Sequence, residues 1–227
     1  YYLMPNSSLR VGAVVPSAGQ GERFGNKKQF KLLGRRPLLF HTLNPFLKCD
    51  DIAEIVVVIP EEDLETISRE LVSFTSAKPV KTVAGGSQRQ VSVLNGCLAL
   101  SDNVEIISVH DAVRPFVTPE LISATIAGCD DADGCIAAIP SKDTIKQVSE
   151  NNMQSTIDRN IIWLAQTPQT FHKDILINAR QQDMIATDEA SMVEAAGGKV
   201  LVTEGFTGNF KITNSEDWQL AENIIND

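Results

Sequence analysis

Four short runs, VGAVVP from Val11, IVVVIP from Ile55, EIISVH from Glu105 and GCIAAIP from Gly134, are apolar almost throughout rather than at every second residue. A strand apolar on both faces has to be covered on both, which is the condition of a parallel sheet enclosed by helices. The stretches between the runs carry helical periodicity: Pro37 to Lys48, Glu61 to Phe74, Ser87 to Leu100 and Pro119 to Cys129. Several open with Pro, Ser or acidic residues, as helix starts do. Strand and helix alternate, so the expected class is α/β, a mostly parallel sheet wrapped by helices.

The rhythm breaks after Pro140. Two alternating pieces, Thr144 to Val148 and Gln154 to Asp158, flank a polar Glu150-Asn151-Asn152 turn and predict a β-hairpin projecting from the sheet. Two strands alone are marginal in water, so packing on another subunit is attractive. Helical patterns resume at Lys173 to Gln181 and Asp188 to Ala196, followed by a strand KVLVTE and a last helix from Ser215 to Ile225. With no internal repeat or linker, the chain reads as one domain over 1–227 with an arm over 140–162.

The formal net charge of −9 excludes a broad nucleic-acid or membrane-surface face, which would need clustered Lys and Arg. Any basic site is therefore local. Cys49, Cys97, Cys129 and Cys135 form no C-x-x-C pair and have no His at metal spacing, so they read as reduced and structural. No apolar run approaches the roughly 18 to 20 residues of a membrane span, and YYLMPNSSLR lacks the basic and apolar regions of a signal peptide. A bacterial cytoplasm is the expected location; the stroma of a plastid is the alternative for a processed plant-type chain.

After the first run the chain reads PSAGQGERFGNKKQF, with Gly19, Gly21 and Gly25 among Arg23, Lys27 and Lys28. A strand that ends in small residues presents backbone N–H groups at the carboxyl edge of a parallel sheet, where open α/β folds bind ligands. The spacing Gly19-x-Gly21-x-x-x-Gly25 is one residue off the dinucleotide fingerprint, and no G-K-[ST] follows. Arg23 and Lys28 stand where a phosphoryl-type displacement needs fixed positive charge. A glycine-rich surface turn with solvated cations explains the loop equally well.

Other stretches bear on that choice. VAGGSQRQVSV offers backbone donors at Gly85 and Gly86 before a helix opening at Ser87, although taken alone it reads first as a plain strand-to-helix turn. ISVHDAVRPF sets His110, Asp111 and Arg114 beyond a strand; an Asp there binds a hard cation or a ribose hydroxyl, or simply pairs with the Arg. His110 reads as an orienting residue rather than a base. GFTGNFKITN isolates Lys211 between Phe210 and Ile212 on a short strand, aimed into a cleft or merely exposed. TDEAS from Thr187 reads as a helix cap with Asp188 and Glu189 in the first turn.

Taken in order, PSAGQGERFG, KQF, GGSQRQVSV, HDAVRPF, DTIK, DRN, QTPQTF, TDEAS and NFKIT resemble the 2-C-methyl-D-erythritol 4-phosphate cytidylyltransferases over nearly the whole chain from Val14. The resemblance implies a Rossmann-like nucleotidyltransferase sheet with a dimerisation arm, CTP and a sugar-alcohol phosphate as substrates, and magnesium. By position, Pro16, Ser17, Ala18, Gly19 and Gly21 would wrap the nucleotide, and Arg23, Lys28 and Lys211 would carry the catalytic positive charge. Gly85, Gly86 and Ser92 would read cytosine, with Asp111 and Ala112 at the ribose and Asp111 a metal contact unless the CTP phosphates hold the ion. Thr144 and Arg159 of a partner's arm, with Arg114, Thr167, Thr187 and Lys211, would hold the acceptor. The family usually has Pro where Lys27 stands, and Lys28 keeps the register by preceding Gln29. The ribitol-5-phosphate cytidylyltransferases share the loop and HDAVRPF but match the arm less well. A nicotinamide-dependent dehydrogenase and a noncatalytic nucleotide-binding module are the other readings; the residue extra between Gly21 and Gly25 disfavours the first, and the set Arg23, Lys28, Asp111 and Lys211 the second.

Overall fold

The computed structural model describes residues 9–19, 27–74, 78–180 and 187–226. In chain order, β1 (Val11–Pro16), two short strands β2 (Leu32–Leu33) and β3 (Arg36–Pro37), α1 (Leu38–Lys48) and β4 (Ile52–Ile59) lead to α2 (Leu64–Phe74) and β5 (Val80–Ala84). Then come α3 (Arg89–Ala99), β6 (Ile106–Val109), α4 (Pro119–Ala127) and β7 (Gly134–Pro140). A hairpin of β8 (Ile145–Ser149) and β9 (Asn152–Ile157) precedes β10 (Trp163–His172), α5 (Lys173–Arg180), α6 (Glu189–Ala195), β11 (Val200–Glu204) and α7 (Ser215–Asn226).

The main sheet has the order β11-β7-β10-β6-β1-β4-β5. Only β10 runs against its neighbours; every other adjacent pair is parallel. The doubly apolar strands behave as their composition requires. Along β1, Ala13 and Val15 enter one core while Val14 enters the other, and along β4 Ile55, Val57 and Ile59 alternate in the same way with Val56 and Val58. Leu39, Leu43 and Phe46 of α1 and Ile122 of α4 fill the first core; Val93 and Cys97 of α3 and Leu176 of α5 fill the second. Each such side chain, removed wholly from water, contributes about 1.5–3 kcal/mol before the entropy of ordering is subtracted. A third cluster, Leu33, Leu38, Ile212, Trp218 and Ala221, docks α7 beside the cleft described below.

From β1 the chain moves outward through β4 to β5, then returns to place β6 on the other side of β1. The reversal leaves a crevice at the carboxyl ends of β1 and β6, the switch point where open α/β sheets bind ligands.

Strand β10 was not visible in the sequence. Its WLAQTPQTFH carries Pro168, which argues against a central strand. The structure accommodates it with a bulge: Ala165 pairs with Ala138 and Gln169 with Ile136, so Gln166, Thr167 and Pro168 stand opposite the single Ala137. The hairpin forms with a tighter turn than the sequence suggests, because Glu150 and Asn151 take positive φ of 47° and 64° and Asn152 already belongs to β9. The expected strand at Lys211 is a correction: residues 209–213 have no regular structure, and Ile212 makes a single backbone bond to the Val113 carbonyl at 2.9 Å. Helix α3 likewise begins at Arg89, not Ser87.

Candidate functional site

The crevice is a cleft of about 310 Å³. Its walls come from Pro16 at the end of β1 and Ser17–Gly19 after it, Lys28 and Gln29, Gly86–Arg89 and Ser92 before and within α3, Asp111–Val113 after β6, and Lys211. Gly21 and Arg23 lie outside the described residues.

The loop after β1 is held from below. Ser17 N–H donates to the Val58 carbonyl at 2.6 Å, and Gln29, itself buried, donates through Nε2 to the Ser17 and Gly19 carbonyls at 2.7 and 2.9 Å. A Cβ on Gly19 would meet nothing within 4 Å among the described residues. Gly85 is the opposite case: a Cβ there would lie 2.2 Å from Ala18 Cβ, and only glycine lets the two loops approach. Ser92 Oγ accepts the Gly86 N–H at 3.1 Å and sets the shape of that turn. Among the described residues no side chain caps α3 at Gln88, and Gln88, Arg89 and Ser92 at its start line the cleft. The two lysines part company. Lys27 Nζ is tied to Glu62 and Asp63 at 2.7 and 2.6 Å, while Lys28 lines the cleft and reaches the Thr213 carbonyl at 3.5 Å.

Asp111 is the focus of the charge. Its Oδ2 lies 3.0 Å from Lys211 Nζ and 3.5 Å from Arg114 Nε, and its Oδ1 3.3 Å from Arg89 Nη2. Burial works to raise its pKa, but Lys211, Arg89 and Arg114 outweigh it and hold the carboxyl well below the usual carboxylate range. Arg114 is itself buried; burial lowers its pKa, with Asp111 opposing, and its Nη1 donates to the Asn209 carbonyl at 2.8 Å. Lys211 keeps 43 % of its side chain exposed, so its ammonium serves Asp111 and the open cleft together.

The bulge in β10 delivers Thr167 to this cluster. Its hydroxyl accepts the Asp111 N–H at 3.1 Å and donates to His110 Nδ1 at 2.9 Å, while His110 Nε2–H donates to the Arg114 carbonyl at 3.1 Å. These partners assign the neutral Nε2–H tautomer. His110 is fully buried against Phe46, ring centroids 5.0 Å apart, and burial pushes its pKa down to about 4. It orients the Asp111–Arg114 segment.

A pH prediction follows from this group. The folded-state pKa lies below the unfolded 6.5, so protonation favours the unfolded chain. The stabilisation is complete above pH 6.5 and is lost as pH falls towards 4, about 3 kcal/mol in all. Chemical denaturation at pH 7.5, 6, 5 and 4.5 will show this slope, and His110→Asn will flatten it; an equal slope in both proteins removes His110 as its source.

The structure thus brings Ser17, Ala18, Gly19, Lys28, Gly86, Ser92, Asp111, Ala112 and Lys211 around one cleft, with Arg114 and Thr167 packed behind Asp111. It does not bring Thr144 or Arg159 there: both are exposed at the hairpin, where Arg159 Nη1 donates to the Lys142 carbonyl at 2.7 Å. Thr187 is exposed just before α6. Sequence reasoning missed Gln29 as the loop's tether and Arg89 as a partner of Asp111. A signal for Arg89 was present, since a cation in the first turn of a helix is disfavoured by the helix dipole unless an acid answers it.

Among the described residues no three His, Cys, Asp or Glu side chains converge to hold a metal, and Asp111, the one carboxylate in the cleft wall, already has cations on both oxygens. The donor set suits an ion that arrives on phosphate oxygens and fits a protein-built carboxylate cage poorly.

An open sheet with a cation-lined cleft at its switch point, roofed by two glycine turns, is the build of an α/β nucleotidyltransferase. The chain belongs to the 2-C-methyl-D-erythritol 4-phosphate cytidylyltransferase family, whose model, described as IspD, matches residues 11–227. It is 40 % identical to the enzyme of that name from Geotalea uraniireducens (strain Rf4), covering 96 % of this chain and 97 % of the relative, and 40 % identical to that of Syntrophus aciditrophicus (strain SB), covering 95 % and 96 %. The crystal structure of 4-diphosphocytidyl-2C-methyl-D-erythritol synthase from Anaerococcus prevotii DSM 20548 superposes with a TM-score of 0.86 at 28 % identity, covering 97 % of this chain and 100 % of that one.

Proposed function

We propose that the chain transfers the cytidylyl group of CTP to 2-C-methyl-D-erythritol 4-phosphate, giving 4-diphosphocytidyl-2-C-methyl-D-erythritol and pyrophosphate. The observation that carries this reading is the half-exposed Lys211 ammonium beside a buried, triply paired Asp111, with Lys28 and open glycine turns around it. Such a cleft holds fixed positive charge in a protein that is otherwise acidic.

A phosphate oxygen of the acceptor attacks the α-phosphorus of CTP in line; that O–P bond forms as the bond from the α-phosphorus to the bridging oxygen breaks, and pyrophosphate leaves with the charge. Positioning and charge stabilisation do most of the catalysis. Lys211 faces the α-phosphate and the incoming phosphate, while Lys28, with Arg23, takes charge developing towards pyrophosphate. Ala18 and Gly19 meet the phosphates through backbone N–H groups, and Pro16, Ser17 and Gly21 complete the wrap. Asp111 and Ala112 meet the ribose. Gly85 and Gly86 face the base, with Ser92 fixing the Gly86 N–H. Magnesium, when bound, would be held by the CTP phosphates, with Asp111 the nearest protein carboxylate, and would neutralise part of the triphosphate charge.

The acceptor side is proposed to include Arg114, Thr167 and Thr187, with Thr144 and Arg159 supplied by the arm of a second copy. Support for a homodimer comes from Val148, Met153, Ile161, Trp163 and Leu164, which lie exposed on the hairpin and its root. The reaction is proposed to run in a bacterial cytoplasm, with no nucleic-acid or membrane partner; among the described residues no helix is long and apolar enough to cross a membrane.

The test is pyrophosphate release from CTP and magnesium with 2-C-methyl-D-erythritol 4-phosphate or ribitol 5-phosphate as acceptor. Release with the first alone is expected. Release with ribitol 5-phosphate alone overturns the acceptor assignment, and CTP binding without release from either overturns the catalytic one.

A further inference from the structure

Glu189 takes no part in the proposed chemistry, yet its environment is built with unusual care. It stands in the first turn of α6, where an acidic residue ordinarily faces solvent and answers the helix dipole. Here Asp188 does the capping, accepting the Ser191 N–H at 3.0 Å, and Glu189 turns inward to complete burial. A carboxylate removed from water persists only with charged partners and good geometry. Arg89 meets it as a fork, Nη1 to Oε1 at 2.8 Å and Nη2 to Oε2 at 3.0 Å, and Arg180 Nη2 adds a third bond at 2.8 Å.

The fork determines where Arg89 points. A guanidinium bonded in its plane to one carboxylate has its remaining N–H directions fixed. One of them, on Nη2, reaches Asp111 Oδ1 at 3.3 Å. Arg89 lines the cleft with 35 % of its side chain exposed, so without the fork it has room to turn towards bound phosphate instead. Burial opposes the Arg89 charge, but Glu189 and Asp111 raise its pKa above the ordinary value.

We infer that Glu189 is a positioning residue for nucleotide binding: it clamps Arg89 against the cleft wall, and Arg89 in turn fixes the Asp111 carboxylate while Lys211 and Arg114 occupy its other oxygen. This rests on Asp111 being a nucleotide contact. The clamp joins the starts of α3 and α6 to the end of β6, so one buried charge sets the geometry of three segments.

The test compares Glu189→Gln, Arg89→Gln and the double variant, with Arg69→Gln as a charge control; Arg69 pairs with Glu65 on the exposed face of α2. In folded protein the two single variants will each raise the KM for CTP about tenfold or more, with the acceptor KM changed less than about threefold, and the double variant will be no worse than Arg89→Gln. A crystal structure of Glu189→Gln without nucleotide will show Arg89 Nη2 displaced from Asp111. An unchanged KM for CTP alongside a lower melting temperature overturns the inference and leaves a structural staple; so do effects that multiply in the double variant. If Glu189→Gln does not fold, Arg89→Lys replaces it, keeping the charge without the fork, and wild-type constants in that variant overturn the clamp. If the native protein turns over no CTP, the proposed function fails visibly, and the crystal structure alone decides the clamp: Arg89 displaced supports it, Arg89 unmoved overturns it.

Discussion

Lys211→Ala will lower pyrophosphate release by about 10²–10³-fold while the thermal midpoint stays within a few degrees of the native value. The two halves of that expectation have separate causes. Catalytically, the Lys211 ammonium touches Asp111 and keeps a large share of its surface on the open cleft, whereas Arg89, the other cleft cation on Asp111, is held by Glu189, so in the proposed reaction Arg89 does not replace it where charge shifts at the α-phosphorus. Structurally, its loss leaves Asp111 with Arg89 on one oxygen and Arg114 on the other. The segment is further held by the Ile212 N–H on the Val113 carbonyl and by Ile212 in the core under α7. Lys211→Arg, which keeps the charge at a different reach, will recover part of the rate. A folded Lys211→Ala enzyme with near-native turnover removes this residue from the mechanism.

The second large effect concerns sharing of the site between subunits. Arg159→Ala and Lys211→Ala will each be nearly inactive alone, yet mixing the two after dissociation will restore roughly a quarter of native specific activity, because about half of randomly paired dimers carry one site with both residues intact. Arg159 sits exposed on the hairpin, away from the cleft of its own chain, so a contribution to catalysis is expected to cross the dimer. Size-exclusion chromatography confirms pairing before the assay. Mixed dimers that stay inactive rule out a shared site, and a fully active Arg159→Ala removes the arm from acceptor binding.

The parts legible in the sequence were those where one local rule decides. Doubly apolar runs can only be buried strands, and these became β1, β4, β6 and β7. The choice of Lys28 over Lys27 came from register against the family pattern rather than from a local rule; in the structure Lys28 lines the cleft and Lys27 is tied to Glu62 and Asp63. What stayed hidden depended on tertiary context. A ten-residue strand containing Pro168 has no local signature as the middle of a sheet; the two extra residues of its bulge remove the proline from the ladder. Glu189 has the sequence of an ordinary first-turn acid, and only the approach of α3 and α5 turns it inward. Gln29 is one glutamine among several until the β1 loop folds over it.

The antiparallel pairing of β7 with β10 makes them two rails of one long ribbon, with the hairpin at its far end. That gives insertions and deletions very different fates within a short stretch of chain. An added residue at the Glu150–Asn151 tip lengthens an exposed turn and leaves the rails in step. The same addition between Trp163 and Thr167 slides a rail, exchanges the faces of every side chain it displaces, and pulls the Thr167 hydroxyl from Asp111 and His110 together. The fold therefore tolerates a change in the length of the arm at its tip, while the few residues at its root are locked in count.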